Sequence, residues 1–171
     1  MSRMVRSLVF AATVLSCVMA AAPQASAQSS DDTQLALLAG FTVVQSGLGG
    51  TGLVQIPAKT QVMGADLSYV AGAGFFRAEG ANVIAFGGGA MATHKGLIGK
   101  NAGFLKVVAG GVKWGSTNFF VEPTVGLLMP VTPGMDFMIE GGVSIIAWGG
   151  FSGVSYDPSI MIGVRMGFGK K

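Results

Sequence analysis

From Phe119 to Phe168 apolar and polar residues alternate almost without interruption. In 119–131 the odd positions are Phe119, Val121, Pro123, Val125, Leu127, Met129 and Val131, and the even ones include Glu122, Thr124 and Gly126. In 135–147 the odd positions are Met135, Phe137, Ile139, Gly141, Val143, Ile145 and Ala147, and the even ones include Asp136, Glu140, Gly142 and Ser144. In 159–168 the parity inverts. Ile160, Ile162, Val164, Met166 and Phe168 alternate with Ser159, Gly163 and Arg165. A period of two predicts strands, because successive side chains leave a strand on opposite faces. One face is strongly apolar. The other is small and polar, with occasional charges. A soluble sandwich turns the apolar face inward, whereas a membrane barrel turns it outward and keeps the polar face for the lumen.

Turn signals divide the chain into about eight strand-like segments: 35–44, 52–57, 65–76, 82–93, 103–114, 119–131, 135–148 and 159–168. The connections fall at 46–50, 58–64, 77–81, 94–102, 115–118, 132–134 and 149–158, and Thr132-Pro133-Gly134 is a good tight turn. The first two segments are the least regular. Residues 35–44 also fit a short helix, and Pro57 requires a rim, an edge or a bulge. Glycines number 28, and Gly87-Gly88-Gly89 and Gly110-Gly111 fall inside strands. Small residues suit the interior and the strong curvature of a narrow barrel.

Composition favours the membrane alternative. Half the chain is hydrophobic and 11% is charged, against about 25% charged in ordinary soluble domains. Helical spans need roughly 18 or more continuous apolar residues. The longest charge-free stretch after the leader, 33–58, is broken by polar residues, Pro57 and glycines. The expected fold is therefore all-β: an antiparallel up-and-down transmembrane β-barrel of about eight strands with short connections.

Residues 1–27 read as a secretory signal peptide. Arg3 and Arg6 precede an apolar run, and Ala25-Ser26-Ala27 supplies the cleavage signal before Gln28. The barrel domain is then 28–171. Cys17, the one cysteine, departs with the leader, so neither disulfide nor thiol chemistry is expected. Nine Lys+Arg then face eight Asp+Glu. No basic stripe for nucleic acid remains.

Candidate chemistry is sparse. Residues 47–52 match G-x-G-x-x-G, but Pro57 follows too soon for the helix that must cradle a pyrophosphate. A glycine-rich hairpin loop is expected there. His94, the single histidine, falls in an expected turn, and one histidine cannot build a zinc or copper site. No enzyme activity, cofactor or metal is expected. The charges on the polar faces carry more interest. Asp66, Glu122, Glu140 and Arg165 share lumen parity. Lys106 joins them if Leu105 and Val107 face lipid, although Phe104, Val108 and Val112 leave that strand ambiguous. These residues predict a lumen network centred on Arg165 with Glu122 and Glu140, plugging and registering the barrel. Aromatic residues fall near segment ends. Phe75, Trp114, Phe119 and Trp148 would form one girdle, and Phe104, Phe137 and Phe168 the other. By parity Trp148 would instead cap the opening.

With the leader, the alternating strands, the short turns and a final strand 160–168 closing on Phe168, the chain resembles the small eight-stranded outer-membrane β-barrel proteins of Gram-negative bacteria. That resemblance implies residence in the outer membrane, contact with its lipid, and recognition of the terminal strand and Phe168 by the outer-membrane assembly machinery. Here Gly169-Lys170-Lys171 follow the closing aromatic. The expected role is structural, in the envelope, with a plugged polar lumen. A small passive pore, a surface adhesin and a soluble secreted β-sheet protein that binds lipid are the alternatives.

Overall fold

The computed structural model describes residues 33–42, 47–78, 80–148 and 153–168. The expected leader lies outside them. Eight strands follow in chain order: β1 (Gln34–Thr42), β2 (Gly47–Val62), β3 (Ala65–Ala78), β4 (Ala81–Ile98), β5 (Asn101–Trp114), β6 (Ser116–Thr132), β7 (Met135–Trp148) and β8 (Gly153–Gly167). Each pairs antiparallel with the next, and β8 pairs with β1, closing the ring. A closed ring leaves no unpaired edge. The molecule is thus an up-and-down barrel. Its terminal end holds Thr33, Phe168 and the turns at 63–64, 99–100 and 133–134. The far end holds Thr42, Gly47, Gly80, Gly115, Trp148 and Gly153. Phe168 donates its backbone N–H to the Thr33 carbonyl at 2.9 Å, joining the two chain ends.

The strands are longer than expected. β2 has 16 residues rather than six, and the G-x-G-x-x-G run is its first stretch, not a loop. β4 continues to Ile98 and carries His94, and β8 begins at Gly153 instead of 159. Residues 34–42 are strand, not helix. Local composition concealed these extensions; cross-strand pairing supplies the partners that polar and glycine-rich segments lack on their own. Pro57 pairs with Ser68 immediately before a bulge, and β2 continues beyond it. The tight turn at 133–134 forms as expected, with Gly134 at φ 81°. Gly89 and Gly110 show why glycine recurs inside strands. A side chain on Gly89 would collide with the Val107 carbonyl, and one on Gly110 with the Phe86 carbonyl. The wall bends too sharply there to admit a Cβ.

Side-chain direction follows the predicted parity. Glu122, Glu140 and Arg165 belong to the inward rows, while Val125, Ile139, Ile160 and Ile162 are exposed on the outside. Among the described residues, the outward rows carry Lys or Arg only at the far rim, at Arg77 and Lys113. Between the rims those rows are aliphatic, aromatic, glycine, alanine or proline. The inward rows are less polar than the sequence implied. Met91, Leu128 and Met138 are the largest fully buried side chains, and they pack in one cluster with Ala36, Leu38, Val70 and Phe104. An eight-stranded barrel has an interior just wide enough for side chains to fill, so apolar residues share the lumen with the charges.

Candidate functional site: the barrel lumen

Two polar groupings lie inside the barrel. The first is near its middle. Lys106 on β5 places Nζ 2.7 Å from both Oε1 and Oε2 of Glu140 on β7, and both side chains are 5% exposed. Neither strand neighbours the other; β6 lies between them, so the pair bridges the lumen behind it. A lone charge buried here would be costly, and mutual contact offsets part of the cost of burying both. Nearby, Ser159 Oγ donates to Glu122 Oε1 at 3.1 Å.

The second grouping lies toward the terminal end. Arg165 Nε donates to Asp136 Oδ2 at 3.0 Å, and its Nη1 donates to Gln55 Oε1 at 3.3 Å. Gln55 Nε2 in turn donates to Ser68 Oγ at 3.0 Å. Arg165 and Asp136 are direct cross-strand partners on β8 and β7. Gln55 reaches Arg165 across β1. The chain of bonds therefore ties β7, β8, β2 and β3 together.

These contacts correct the expected network. Arg165 bonds to Asp136 and Gln55 rather than to Glu122 and Glu140. Glu140 is matched by Lys106, and Glu122 by Ser159. Lys106 does point inward, because Phe104, Val108 and Val112 point inward with it. Asp66 sits at the terminal rim, not in the lumen network; it accepts from Gln61 at 2.8 Å and pairs with Lys95 at 2.9 Å. Asp136 shared the parity of Glu140 and could have been found by extending the β7–β8 hairpin register. Gln55 and Asp157 carried a weaker signal, because residues 149–158 read as a loop and 52–57 as a fragment, whereas Ser159 already stood on the polar row of 159–168.

The girdles also need correction. Phe75 and Phe119 are exposed on the outside near the far end, Phe168 is exposed at the terminal end, and Phe137 has outward parity. Phe104 is 6% exposed and faces inward, its ring covering Gly126. Trp148 also faces inward, packs on the interior cluster and donates Nε1 to Ser155 Oγ at 2.8 Å. It belongs to the opening and not to a girdle. The Trp114 side chain lies outside the described residues. Tyr69, Phe86 and Tyr156 were missed and are exposed on the outer surface.

The two ends of the lumen differ in filling. Above the Lys106–Glu140 pair is a cavity of about 90 Å³, lined by apolar side chains such as Val83, Val112, Phe120 and Ile146, and by Glu122, Ser144, Asp157 and Ser159. Below the pair, Met91, Leu128 and Met138 are fully buried beside the Arg165 grouping. The cavity can hold water or a small polar molecule over a charged floor. His94 stands apart on the terminal-end part of β4, exposed to solvent.

No family model matches the chain, and no curated protein matches it. A solved structure described as "De novo design of transmembrane beta-barrels" superposes with a TM-score of 0.55 at 18% identity, covering 83% of this chain and 99% of that one. At that identity the likeness is one of fold. The fold is that of an eight-stranded transmembrane β-barrel.

Proposed function

We propose that this chain is an integral outer-membrane protein with a structural role in the envelope and a lumen closed by its own side chains. The observation that carries this reading is the outer surface. Between the two rims its described outward rows carry no Lys or Arg, and a water-exposed protein has no reason to keep a belt of aliphatic and aromatic side chains free of charge. Lipid is the solvent that fits such a belt. The far-end connections are short, which speaks against an adhesin, since surface recognition of that kind needs loops that reach outward. The leader, the terminal strand and Phe168 fit export and recognition by the assembly machinery, with the terminal end toward the periplasm.

Cell fractionation combined with gel mobility tests the membrane assignment. The folded protein should partition with the outer membrane and change apparent size on boiling. Recovery in a soluble fraction, with no heat-dependent shift, would overturn it. The cavity at the far end favours a second reading, a small passive pore. The packed layer around Met91, Leu128 and Met138 opposes it. Planar-bilayer recording separates the two: a closed lumen gives no steady conductance, and a pore does.

A further inference from the structure

The terminal end carries a surface that the lumen does not explain. β2 and β4 have 16 and 18 residues, whereas a tilted strand crosses a bilayer in about 9–11. Their excess lies at this end. β2 runs on from Gln55, opposite the first residue of β1, to Val62. Both hairpins are bulged, one between Pro57 and Gln61 and the other between His94 and Ile98. Bulges bend and twist the strand that carries them. The two tips stand side by side, because β3 and β4 are paired from Asp66 and Thr93 onward and Lys95 is bonded to Asp66.

Together the tips expose four large aliphatic side chains, Val62, Met63, Leu97 and Ile98, with Met63 97% accessible. Lys59, Lys95 and Lys100 are exposed among them. Asp66 is the one acidic residue in these tips, and Lys95 already neutralises it. Among the described residues, the far end sets its exposed cations beside apolar Phe75 and Ile84 on the strands and not on a hairpin tip. Its described turns are Gly80 and Gly115, and Arg77 and Lys113 there lie on the rows that face outward.

We propose that the paired tips form a membrane-surface anchor that binds anionic phospholipid headgroups. The proposal rests on the membrane reading above. Lysines beside exposed aliphatic residues match an interface with negative phosphates outside and acyl carbons just beneath. Water satisfies only the lysines. The bulges give the hairpins the bend needed to lean toward that surface. Lysines near an anionic leaflet contribute enough for the two not paired with Asp66, Lys59 and Lys100, to favour the surface by roughly thirtyfold. That preference should vanish at about 1 M salt, where charges are screened within about 3 Å.

The test uses the full chain with Cys17→Ser and Met63→Cys, labelled at position 63 with an environment-sensitive fluorophore and refolded into vesicles. Phosphatidylcholine vesicles are compared with phosphatidylcholine containing phosphatidylglycerol. Heat-modifiable mobility reports insertion in every sample. The anchor predicts a blue-shifted emission, quenched by a headgroup nitroxide, in phosphatidylglycerol vesicles. Both signals should fall in phosphatidylcholine, in 1 M salt, and in a Lys59→Gln/Lys95→Gln/Lys100→Gln variant. An inserted barrel whose label keeps its water-like emission in phosphatidylglycerol vesicles overturns the anchor and leaves a soluble partner as the occupant. A chain that never becomes heat-modifiable in any vesicle overturns the membrane reading instead.

Discussion

The two halves of the lumen solve the same problem differently. Toward the terminal end, Met91, Leu128 and Met138 interlock, and Arg165, Asp136, Gln55 and Ser68 tie neighbouring strands together at the side. Toward the far end the wall is built with inward glycines, among them Gly72, Gly74 and Gly87, and a cavity remains. The Lys106–Glu140 pair separates the two regions. One half is held by packing, with hydrogen bonds setting its register. The other half keeps space, and its few polar groups line that space. A barrel that only needed to be stable could be filled throughout. In the contrast, one end carries its largest buried side chains, while inward glycine at the other serves curvature first.

The comparison can be tested at its boundary. Glu140→Ala leaves the Lys106 ammonium buried without its carboxylate, and should cost about 3–5 kcal/mol. Urea titration of vesicle-reconstituted protein, read by heat-modifiable mobility, measures this. The Lys106→Met/Glu140→Leu double variant should recover most of the loss. If Glu140→Ala unfolds at the parent midpoint, Lys106 does not depend on Glu140 for its burial.

Within the packed half, Met138→Ala should cost about 2–5 kcal/mol, because the surrounding side chains cannot collapse fully into the space. Arg165→Leu leaves Asp136 and Gln55 short of a donor, and should cost about 1–3 kcal/mol. The same assay reads both. A parent-like midpoint for Arg165→Leu would remove that residue from the stabilising set.

Adding volume should have opposite signs in the two halves. Ala36→Val crowds the packed end, and should cost about 1–3 kcal/mol. Ala85→Val points into the cavity, and should stabilise by up to about 1 kcal/mol. Equal losses at both sites would mean that the far half is as tightly packed as the other. The smallest effect belongs to the rim. Lys95→Ala removes an ion pair whose lysine is 66% exposed, and should change stability by less than about 1 kcal/mol.

Much of this was legible along the chain. Alternation in 119–131, 135–147 and 159–168 placed Glu122, Glu140 and Arg165 on the inner rows, and aliphatic residues such as Val125, Ile139 and Ile160 on the outer ones. A period of two can do that, because the pleat assigns every side chain to one of two faces. It cannot say which inward residues meet. Arg165 faces Asp136 because β8 is registered on β7 at that pair, and it reaches Gln55 only because β1 closes the ring between β8 and β2. Glu140 meets Lys106 across an intervening strand, a contact with no trace in local sequence.

Phe104 makes the same point. Its distance from the segment end suggested a girdle, but its parity, shared with Lys106, turned it inward over Gly126. The lengths of β2 and β4 were hidden too, since their outer portions contain glycine, lysine and proline and look like loops until a neighbour pairs with them. The amino-acid sequence by itself determined the strand class, the inner and outer faces, and the scarcity of charge on one of them, because these follow from local geometry and composition. Tertiary structure alone decided the ion pairs, the strand ends and the uneven filling of the lumen. Each of those depends on the register at which eight strands close into one ring.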